Sequence, residues 1–276
     1  MVALASCRWS CRWSADFWRG VSGPAEERLL HLMSYGMLGS MLVAVVPIYF
    51  FGIPYGRYTS RSFGFLIPAR VAWMVQEAPA FLVPFLLLLC SDGARLGAWS
   101  NRVLLGLFLV HYAYRSFIFP FLIRGGKPTP LIPFFLALLF CLCNGYMQGR
   151  SLSNYAEYPS NWVIDLRFLL GITGWITGLA INIQSDHILR NLRKPGETGY
   201  KIPRGGMFEY VTGANYFGEV LEWFGYALAC STLESVAFAV STLIVLANRA
   251  YKHHRWYHEK FEDYPRQRKI LIPCIF

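Results

Sequence analysis

Charged residues are scarce in this sequence of 276 amino acids. Only 15% of its residues are Asp, Glu, Lys or Arg, whereas 55% are hydrophobic. A soluble domain usually carries about 25% charged residues. This composition excludes a disordered chain, a collagen and a disulfide scaffold, and it is typical of an integral membrane protein.

Familiar nucleotide-binding loops and metal-ligand clusters are also missing. The sequence contains no G-x-G-x-x-G and no G-x-x-x-x-G-K-[ST] segment, so neither a Rossmann fold nor a P-loop could hold a nucleotide. The seven cysteines follow no zinc spacing and no disulfide framework. A small histidine group at His253, His254 and His258 is the best metal candidate, but the chain has only six histidines, and we predict no metal site.

Apolar runs near the roughly 20 residues that cross a bilayer as a helix occur seven times. They span residues 29–51, 71–90, 103–123, 131–147, 168–183, 207–232 and 235–247. We therefore predict an all-α integral membrane protein with about seven transmembrane helices, formed by residues 27–276 as one domain. Residues 1–26 lack the continuous apolar core of a signal peptide, and we expect a disordered extension there.

The basic excess indicates how the chain crosses the membrane. The net charge is +10, and all six lysines fall on one side of the membrane if the seven runs alternate in direction. The positive-inside rule makes that side cytosolic, so the N-terminus is predicted to be lumenal and the C-terminus cytosolic. The charge then needs no nucleic-acid partner, although this basic cytosolic cap could also meet anionic lipid.

Polar side chains interrupt four of the apolar runs, where an ionisable group costs about 2.5 to 3.5 kcal/mol unless it is paired or faces a cavity. Each set follows helical spacing and so shares one helix face. The sets are Trp73, Gln76 and Glu77; His111, Tyr112 and Arg115; Asn182, Asp186, Arg190 and Arg193; and Asn215, Glu219, Glu222 and Trp223. Together they predict a polar-lined cavity enclosed by the helices.

A purely structural explanation of these groups has to be weighed. Glu77 could pair with Arg115, and Glu219 with Arg193, simply to join helices. For any one pair that explanation is reasonable, but it accounts poorly for four stripes together. The two tryptophans could equally be packing residues.

The basic segment after the fifth run could replace the missing nucleotide-binding loops. It contains Arg190, Arg193, Lys194, Tyr200, Lys201 and Arg204. Guanidinium groups bind phosphate through paired hydrogen bonds, and a tyrosine ring can stack on adenine or nicotinamide.

Several of these segments carry a family resemblance. They are residues 68–77 (PARVAWMVQE), 110–112 (VHY), 143–146 (CNGY), 182–196 (NIQSDHILRNLRKPG), 199–206 (GYKIPRGG), 213–219 (GANYFGE) and 261–265 (FEDYP). In these segments the sequence resembles the steroid 5α-reductase family, the 3-oxo-5α-steroid 4-dehydrogenases, and within it the type 1 isozymes. The resemblance covers roughly residue 25 to the end of the chain.

The resemblance implies a multi-pass enzyme of the endoplasmic reticulum membrane. It would use NADPH to reduce the C4=C5 double bond of 3-oxo-Δ4 steroids such as testosterone and progesterone, taken from the bilayer, and it implies no obligate protein partner. Glu77 and Tyr112 would bind the steroid C3 carbonyl with Gln76 beside them, and we expect Trp73 and Trp223 to contact the substrate. The residues lining the dinucleotide would be Asn182, Asp186, Arg193, Tyr200, Asn215, Glu219, His253 and Tyr257, with Arg115 nearby.

The chemistry of the residues agrees with this expectation. Adding a hydride to the β-carbon of an enone pushes negative charge onto its carbonyl oxygen, which then needs preorganised donors. Tyr112 can donate through its hydroxyl, and Glu77 could stay protonated at membrane depth and donate as well. A membrane enoyl-thioester or sterol reductase remains an alternative. A sterol-binding or transport protein is a further one, although no repeat symmetry between halves is visible.

Overall fold

The computed structural model describes residues 22–90, 93–194, 196–197 and 199–276. Seven long helices occur in this described part: α1 Pro24–Phe51, α2 Ala69–Cys90, α3 Trp99–Ala113, α4 Leu131–Arg150, α5 Leu166–Arg190, α6 Ala214–Cys230 and α7 Leu233–Lys260. The only paired strands among these residues, Leu66–Ile67 and Thr129–Pro130, have two residues each and are antiparallel. The predicted all-α architecture is confirmed.

Six of the helical segments are long and apolar enough to cross a membrane. They are α1, α2, α4, α5, α7 and the stretch Trp99–Leu122 that begins with α3. Large apolar side chains such as Leu42, Val43 and Phe50 are more than half exposed, as expected where lipid rather than protein covers a helix. The chain is a multi-pass membrane protein.

Two predicted helix bounds were wrong. The sixth run was expected to be helical from residue 207, but α6 begins at Ala214. Gly205 and Gly206 adopt left-handed backbone angles, with φ of 89° and 52°, and a short 3-10 turn follows. The last helix extends well beyond residue 247, because its polar C-terminal turns continue to Lys260.

Part of the predicted extension belongs to the helical domain. Helix α1 begins at Pro24, and Glu26 is only 3% exposed. Its carboxylate accepts from the Arg150 guanidinium of α4 at 2.6 Å, and the Tyr155 hydroxyl also donates to it. This buried ion pair attaches the start of α1 to the end of α4. Residues 1–21 of the predicted extension lie outside the described residues.

Helices α5 and α6 approach each other through glycine. A Cβ atom added at Gly178 would lie 2.3 Å from the Glu222 backbone nitrogen, and one at Gly218 would lie 2.5 Å from the Asn182 nitrogen. Gly171 and Gly225 make a similar contact farther along the pair. Small residues at such spacing let helix backbones touch in a membrane. The polar side chains near the C-terminal end of α5 and the N-terminal end of α6 are therefore brought together.

Helices α2 and α4 meet in a related way. The backbone of α4 at Gly145 lies against Pro79 and Ala80 of α2, and Gly149 lies against Pro84. Proline is tolerated inside a membrane helix where a neighbouring helix covers the local distortion. This contact places the face of α4 that begins at Cys141 beside Glu77.

Replacing Gly178 with alanine should destabilise the protein by about 1 to 3 kcal/mol, because the new methyl group would collide with the α6 backbone. Gly106→Ala on α3 is the matched control: nothing lies within 4 Å of its added Cβ, so helix propensity alone should leave stability unchanged or slightly higher. Thermal unfolding of both variants in detergent measures the difference. Equal melting temperatures would show that the α5–α6 contact is looser than described.

Candidate active site

The carboxyl of Glu77 is held by neutral donors. The Gln76 amide nitrogen lies 3.4 Å from Glu77 Oε1, and the Cys141 thiol of α4 lies 3.7 Å from Glu77 Oε2. Gln76 is buried, while Glu77 is partly exposed. No ion pair forms at Glu77 within the described ranges. An acid in such surroundings is suited to a neutral ligand group rather than to joining two helices.

The hydroxyl of Tyr112 faces the same stretch of α4. The Asn144 amide nitrogen donates to it over 3.4 Å. Because Cys141 and Asn144 are three residues apart on one helix, their side chains are neighbours. The contacts of Glu77 and Tyr112 with these two residues therefore bring the predicted acid and hydroxyl, from different helices, to one location.

Aromatic rings fix the position of the Tyr112 side chain, which is only 4% exposed. Its ring centroid lies 4.8 Å from that of Phe108 and 5.9 Å from that of Trp223, with the Trp223 ring nearly parallel. Such offset contacts restrict rotation of the ring. Trp223 was predicted to contact substrate, and it lies directly beside the predicted catalytic tyrosine.

Arg115 joins the predicted stripes of three helices. Its guanidinium lies 3.3 Å from Asp186 Oδ2 of α5 and 3.9 Å from Glu219 Oε2 of α6. The same group stacks over the Trp73 ring of α2 at 4.9 Å. One cation thus lies between the buried carboxylate of Asp186 and the partly exposed carboxylate of Glu219. A buried charge without such a partner would be costly.

The structural pairs that we weighed from the sequence are not the ones that form. Arg115 pairs with Asp186 and Glu219 instead of Glu77. Arg193 is exposed and has no ion pair in the part of the chain that is described. The partners differ because they depend on how each helix is rotated, which spacing along one helix does not determine.

The chain around Arg115 leaves the regular α-helix. Residues Tyr114–Ile118 form a π turn, followed by the short helix Phe119–Leu122. A π turn adds a residue to the helical repeat and is common at functional sites. Here it comes directly after His111 and Tyr112, so the tyrosine belongs to the last regular turn and the arginine to the widened one.

Amide groups complete the contact between α5 and α6. Asn182 Nδ2 donates to the Asn215 backbone oxygen at 3.0 Å and lies 3.4 Å from Glu219 Oε2. Asn215 Nδ2 donates to Asp186 Oδ1 at 3.1 Å. These four predicted nucleotide residues therefore form one connected group.

A second buried polar pair lies behind the tyrosine. His111 Nδ1 is 2.7 Å from Glu222 Oε1, and both side chains are almost completely buried. The His111 ring also contacts the Trp223 ring, with centroids 4.4 Å apart. This pair ties α3 to α6 next to the position where Trp223 meets Tyr112.

Near the C-terminal end of α7, aromatic rings surround a cation that the sequence analysis missed. The Arg57 guanidinium lies over the rings of Trp256, Tyr200 and Tyr257, at 3.6, 4.5 and 5.0 Å from their centroids. Tyr200 and Tyr257 were both predicted to line a nucleotide. Their contact through Arg57 links the loop after α1 to the end of α7.

His253 lies next to this cluster. Its Nε2 is 3.4 Å from the Tyr216 hydroxyl, and its ring stands 5.5 Å from that of Tyr58. The neighbouring Arg249 guanidinium covers the Tyr55 ring at 3.7 Å. Burial raises the pKa of Tyr55 to about 12, so its phenol stays neutral at cellular pH.

The histidines that could suggest a metal have other partners. His254 Nδ1 lies 2.6 Å from the Thr212 hydroxyl, and the His258 ring contacts that of Tyr264. Within residues 22–90, 93–194, 196–197 and 199–276, no group of three or more His, Cys, Asp or Glu side chains could hold a metal ion.

Helix α4 was the main omission from the sequence-based site. Its span was not among the four runs with predicted polar stripes, yet Cys141 and Asn144 reach the two predicted catalytic side chains. A signal was present: Cys141, Asn144, Gln148 and Ser151 recur at three- and four-residue spacing. They are uncharged, so a search for ionisable residues passed over them.

The fold and the buried polar groups define a class: a multi-pass helical membrane protein with one polar site made by α2 to α6. Comparison with known families then identifies it more closely. Residues 127–276 match the family model of 3-oxo-5-alpha-steroid 4-dehydrogenase. The chain belongs to this family, as its sequence motifs indicated.

Individual relatives agree over nearly the whole chain. It is 58% identical to 3-oxo-5-alpha-steroid 4-dehydrogenase 1 of Bos taurus, over 91% of this chain and 98% of the relative. The corresponding protein of Rattus norvegicus is 55% identical, over 91% and 96%. The type 2 protein of Sus scrofa is 50% identical, over 80% and 87%. The predicted resemblance to the type 1 form is confirmed.

Replacing Arg115 with methionine should destabilise the protein by about 3 to 5 kcal/mol, because Asp186 and Glu219 would lose their shared cation. Adding Asp186→Asn to that variant should restore part of the loss by removing one uncompensated carboxylate. Thermal unfolding in detergent is the measurement. Arg102→Met, which replaces an exposed arginine of the same candidate membrane span, is the control, and an equal effect of both substitutions would contradict the central role of Arg115.

Proposed function

We propose that this chain is an NADPH-dependent reductase of the endoplasmic reticulum membrane that saturates the C4=C5 bond of 3-oxo-Δ4 steroids. The observation that carries the proposal is the meeting of Glu77 and Tyr112 at α4, beside the Trp223 ring. The names of the relatives, which describe steroid dehydrogenases acting at position 4, support the same substrate class.

Glu77 and Tyr112 act on the substrate carbonyl. As C5 gains a hydride, negative charge moves through C4 to the C3 oxygen, and donors already aimed at that oxygen lower the barrier. The Tyr112 hydroxyl donates one hydrogen bond, and the Glu77 carboxyl contacts the same oxygen or holds the tyrosine in place. Gln76 keeps the carboxyl oriented through its contact with Oε1. C4 then takes a proton from a tyrosine or from water.

The residues on α5 to α7, together with Arg57 and Arg115, suit a dinucleotide. Buried polar atoms without a hydrogen-bond partner among the described residues include Asn182 Oδ1, Arg57 NH1 and His253 Nδ1. An amide oxygen suits a carboxamide, and cationic and imidazole groups suit phosphate. NADPH supplies the hydride when bound. Asn182, Asp186, Asn215, Glu219 and the neighbouring Arg115 would hold its reactive end, while the remaining predicted residues, Arg193, Tyr200, His253 and Tyr257, would contact the rest.

The substrate would reach this site from the bilayer. Exposed apolar side chains cover most helices, and a steroid partitions into lipid. Trp73 and Trp223 would then contact its rings, with the C3 end toward Tyr112. The N-terminus would be lumenal and the basic loops, including the Arg190–Arg204 region, cytosolic, where NADPH is available. No obligate protein partner is needed for this arrangement.

Two other functions could use a similar polar site. An enoyl-thioester or sterol reductase would need the same nucleotide but a different carbonyl or alkene partner. A sterol-binding or transport protein would need no nucleotide. Purified protein that reduces testosterone but neither an enoyl-CoA nor a sterol alkene would support the proposal over both.

Tyr112→Phe and Glu77→Gln should each lower kcat for steroid reduction by at least about tenfold, because each removes or weakens a donor to the C3 oxygen. Glu77→Gln should be the milder change, since an amide can still donate. NADPH binding should persist in both variants. Turnover of radiolabelled testosterone and nucleotide titration measure the two effects.

A matched control for these substitutions is Tyr158→Phe. Tyr158 is a largely buried tyrosine whose hydroxyl donates to the Cys230 backbone oxygen, away from the proposed site. Its kcat should stay within about twofold of the parent enzyme. Near-normal kcat in both Tyr112→Phe and Glu77→Gln would contradict the proposed catalytic roles.

Arg193→Ala should raise KM for NADPH more than KM for NADH, because only NADPH carries a 2′-phosphate for a guanidinium to bind. The substitution should leave the yield of folded protein unchanged, since Arg193 is exposed. Arg167→Ala serves as the control, because Arg167 is also exposed and pairs with Asp165 at 3.0 Å at the opposite end of α5. Unchanged KM values for both nucleotides would exclude Arg193 from the cofactor site.

A further inference from the structure

A chain of uncharged hydrogen bonds leads from Tyr112 along α4 to the start of α7. Asn144 Nδ2 donates to the Tyr112 hydroxyl at 3.4 Å, and Gln148 Nε2 donates to Asn144 Oδ1 at 3.2 Å. Gln148 Nε2 also donates to the Glu234 backbone oxygen at 2.9 Å. Asn144 and Gln148 are at most 1% exposed, and neither has a role in the mechanism above.

We propose that Asn144 and Gln148 are positioning residues that fix the direction of the Tyr112 hydroxyl, leaving its hydrogen free for the substrate carbonyl. This inference rests on the proposed function. It extends that function by assigning control of the catalytic donor to α4, through residues that touch neither steroid nor nucleotide.

The direction of every bond in the chain follows from its last member. A backbone carbonyl can only accept, so the Gln148 atom facing Glu234 must be the amide nitrogen. That nitrogen can only donate, so the Asn144 atom facing it must be the amide oxygen. The Asn144 nitrogen is then left facing Tyr112, and the phenol oxygen must accept.

This polarity determines what the tyrosine can do. A hydroxyl has one hydrogen and two acceptor sites. Because Asn144 donates to the Tyr112 oxygen, the Tyr112 hydrogen makes no hydrogen bond to α4. The described residues include no hydrogen-bond acceptor for it. If the Asn144 amide were reversed, its oxygen would draw that hydrogen away from the substrate.

The hydrogen bonds from Tyr112 to Glu234 are also held in this direction. Glu234 belongs to the first turn of α7, and its carboxylate accepts from the Ser151 hydroxyl at 3.0 Å. Two contacts therefore hold Glu234 against α4 and the turn that follows it. Flipping Asn144 alone would leave its nitrogen facing the Gln148 nitrogen, and flipping both amides would leave the Gln148 oxygen facing the Glu234 carbonyl. Either reversal loses a buried hydrogen bond.

The test is a double-mutant cycle between Asn144→Leu and Tyr112→Phe. Leucine has the branching and the number of side-chain heavy atoms of asparagine but no amide. In the parent enzyme Asn144→Leu should lower kcat about tenfold, with steroid KM and NADPH affinity within about twofold. In the Tyr112→Phe background it should change kcat less than about twofold, because the hydroxyl that it orients is already gone.

Two further variants make the result decisive. Asn101→Leu is the matched control, because the Asn101 amide is fully buried and donates to the backbone oxygens of Leu152 and Ala156. It has no hydrogen bond to Tyr112, Asn144 or Gln148 in the described residues. Its kcat should stay within about twofold of the parent enzyme. Gln148→Met should lower kcat about threefold to tenfold, again only when Tyr112 is present, because it frees the Asn144 amide to flip.

Each outcome separates this inference from the proposed function. Equal effects of Asn144→Leu in both backgrounds, or no effect in the parent enzyme, would overturn the positioning role while Tyr112→Phe still supports the catalytic one. Normal turnover of Tyr112→Phe would overturn both. If Asn144→Leu and Gln148→Met fail to give monodisperse protein while Asn101→Leu folds, these hydrogen bonds serve folding and the proposal is wrong.

Discussion

The close contact between α5 and α6 is the constraint on which the site depends. Glycine at positions 171, 178, 218 and 225 lets the two backbones touch, since a methyl group at Gly178 would lie 2.3 Å from a backbone nitrogen. Near the C-terminal end of α5 and the N-terminal end of α6, this approach brings Asn182 within hydrogen-bond distance of the Asn215 backbone. Larger residues would separate the helices, and the carboxylates around Arg115 would lose their common location.

The polar groups of the site form two sets that differ in charge. On one side, the Arg115 cation balances the carboxylates of α5 and α6, next to unpartnered atoms suited to a charged nucleotide. On the other, Glu77 and Tyr112 contact only neutral donors from α2 and α4. A neutral steroid ketone suits that second environment, because a nearby fixed charge would compete for the donors that its oxygen needs. The membrane favours this separation of charged and neutral groups, since an unpaired charge is costly at this depth.

Much of this arrangement could be predicted from the sequence. Seven apolar runs indicated the helices, and polar residues at helical spacing indicated the faces that meet. Which residues pair across helices could not be predicted, because Arg115 finds Asp186 and Glu219 only through the rotation of three helices. The role of α4 was missed because Asn144 and Gln148 are uncharged and their directionality depends on the Glu234 carbonyl. The bend before α6 followed from backbone angles at Gly205 and Gly206, which the hydropathy pattern did not indicate.

A structure of the protein with NADP⁺ and a 3-oxo steroid bound tests the account most directly. We expect the steroid C3 oxygen to lie within about 3.2 Å of the Tyr112 hydroxyl, with Glu77 beside it. The nicotinamide ring should lie over C5, next to Asn182 and Arg115. A steroid whose C3 oxygen points away from Tyr112, or a nicotinamide held elsewhere, would contradict it.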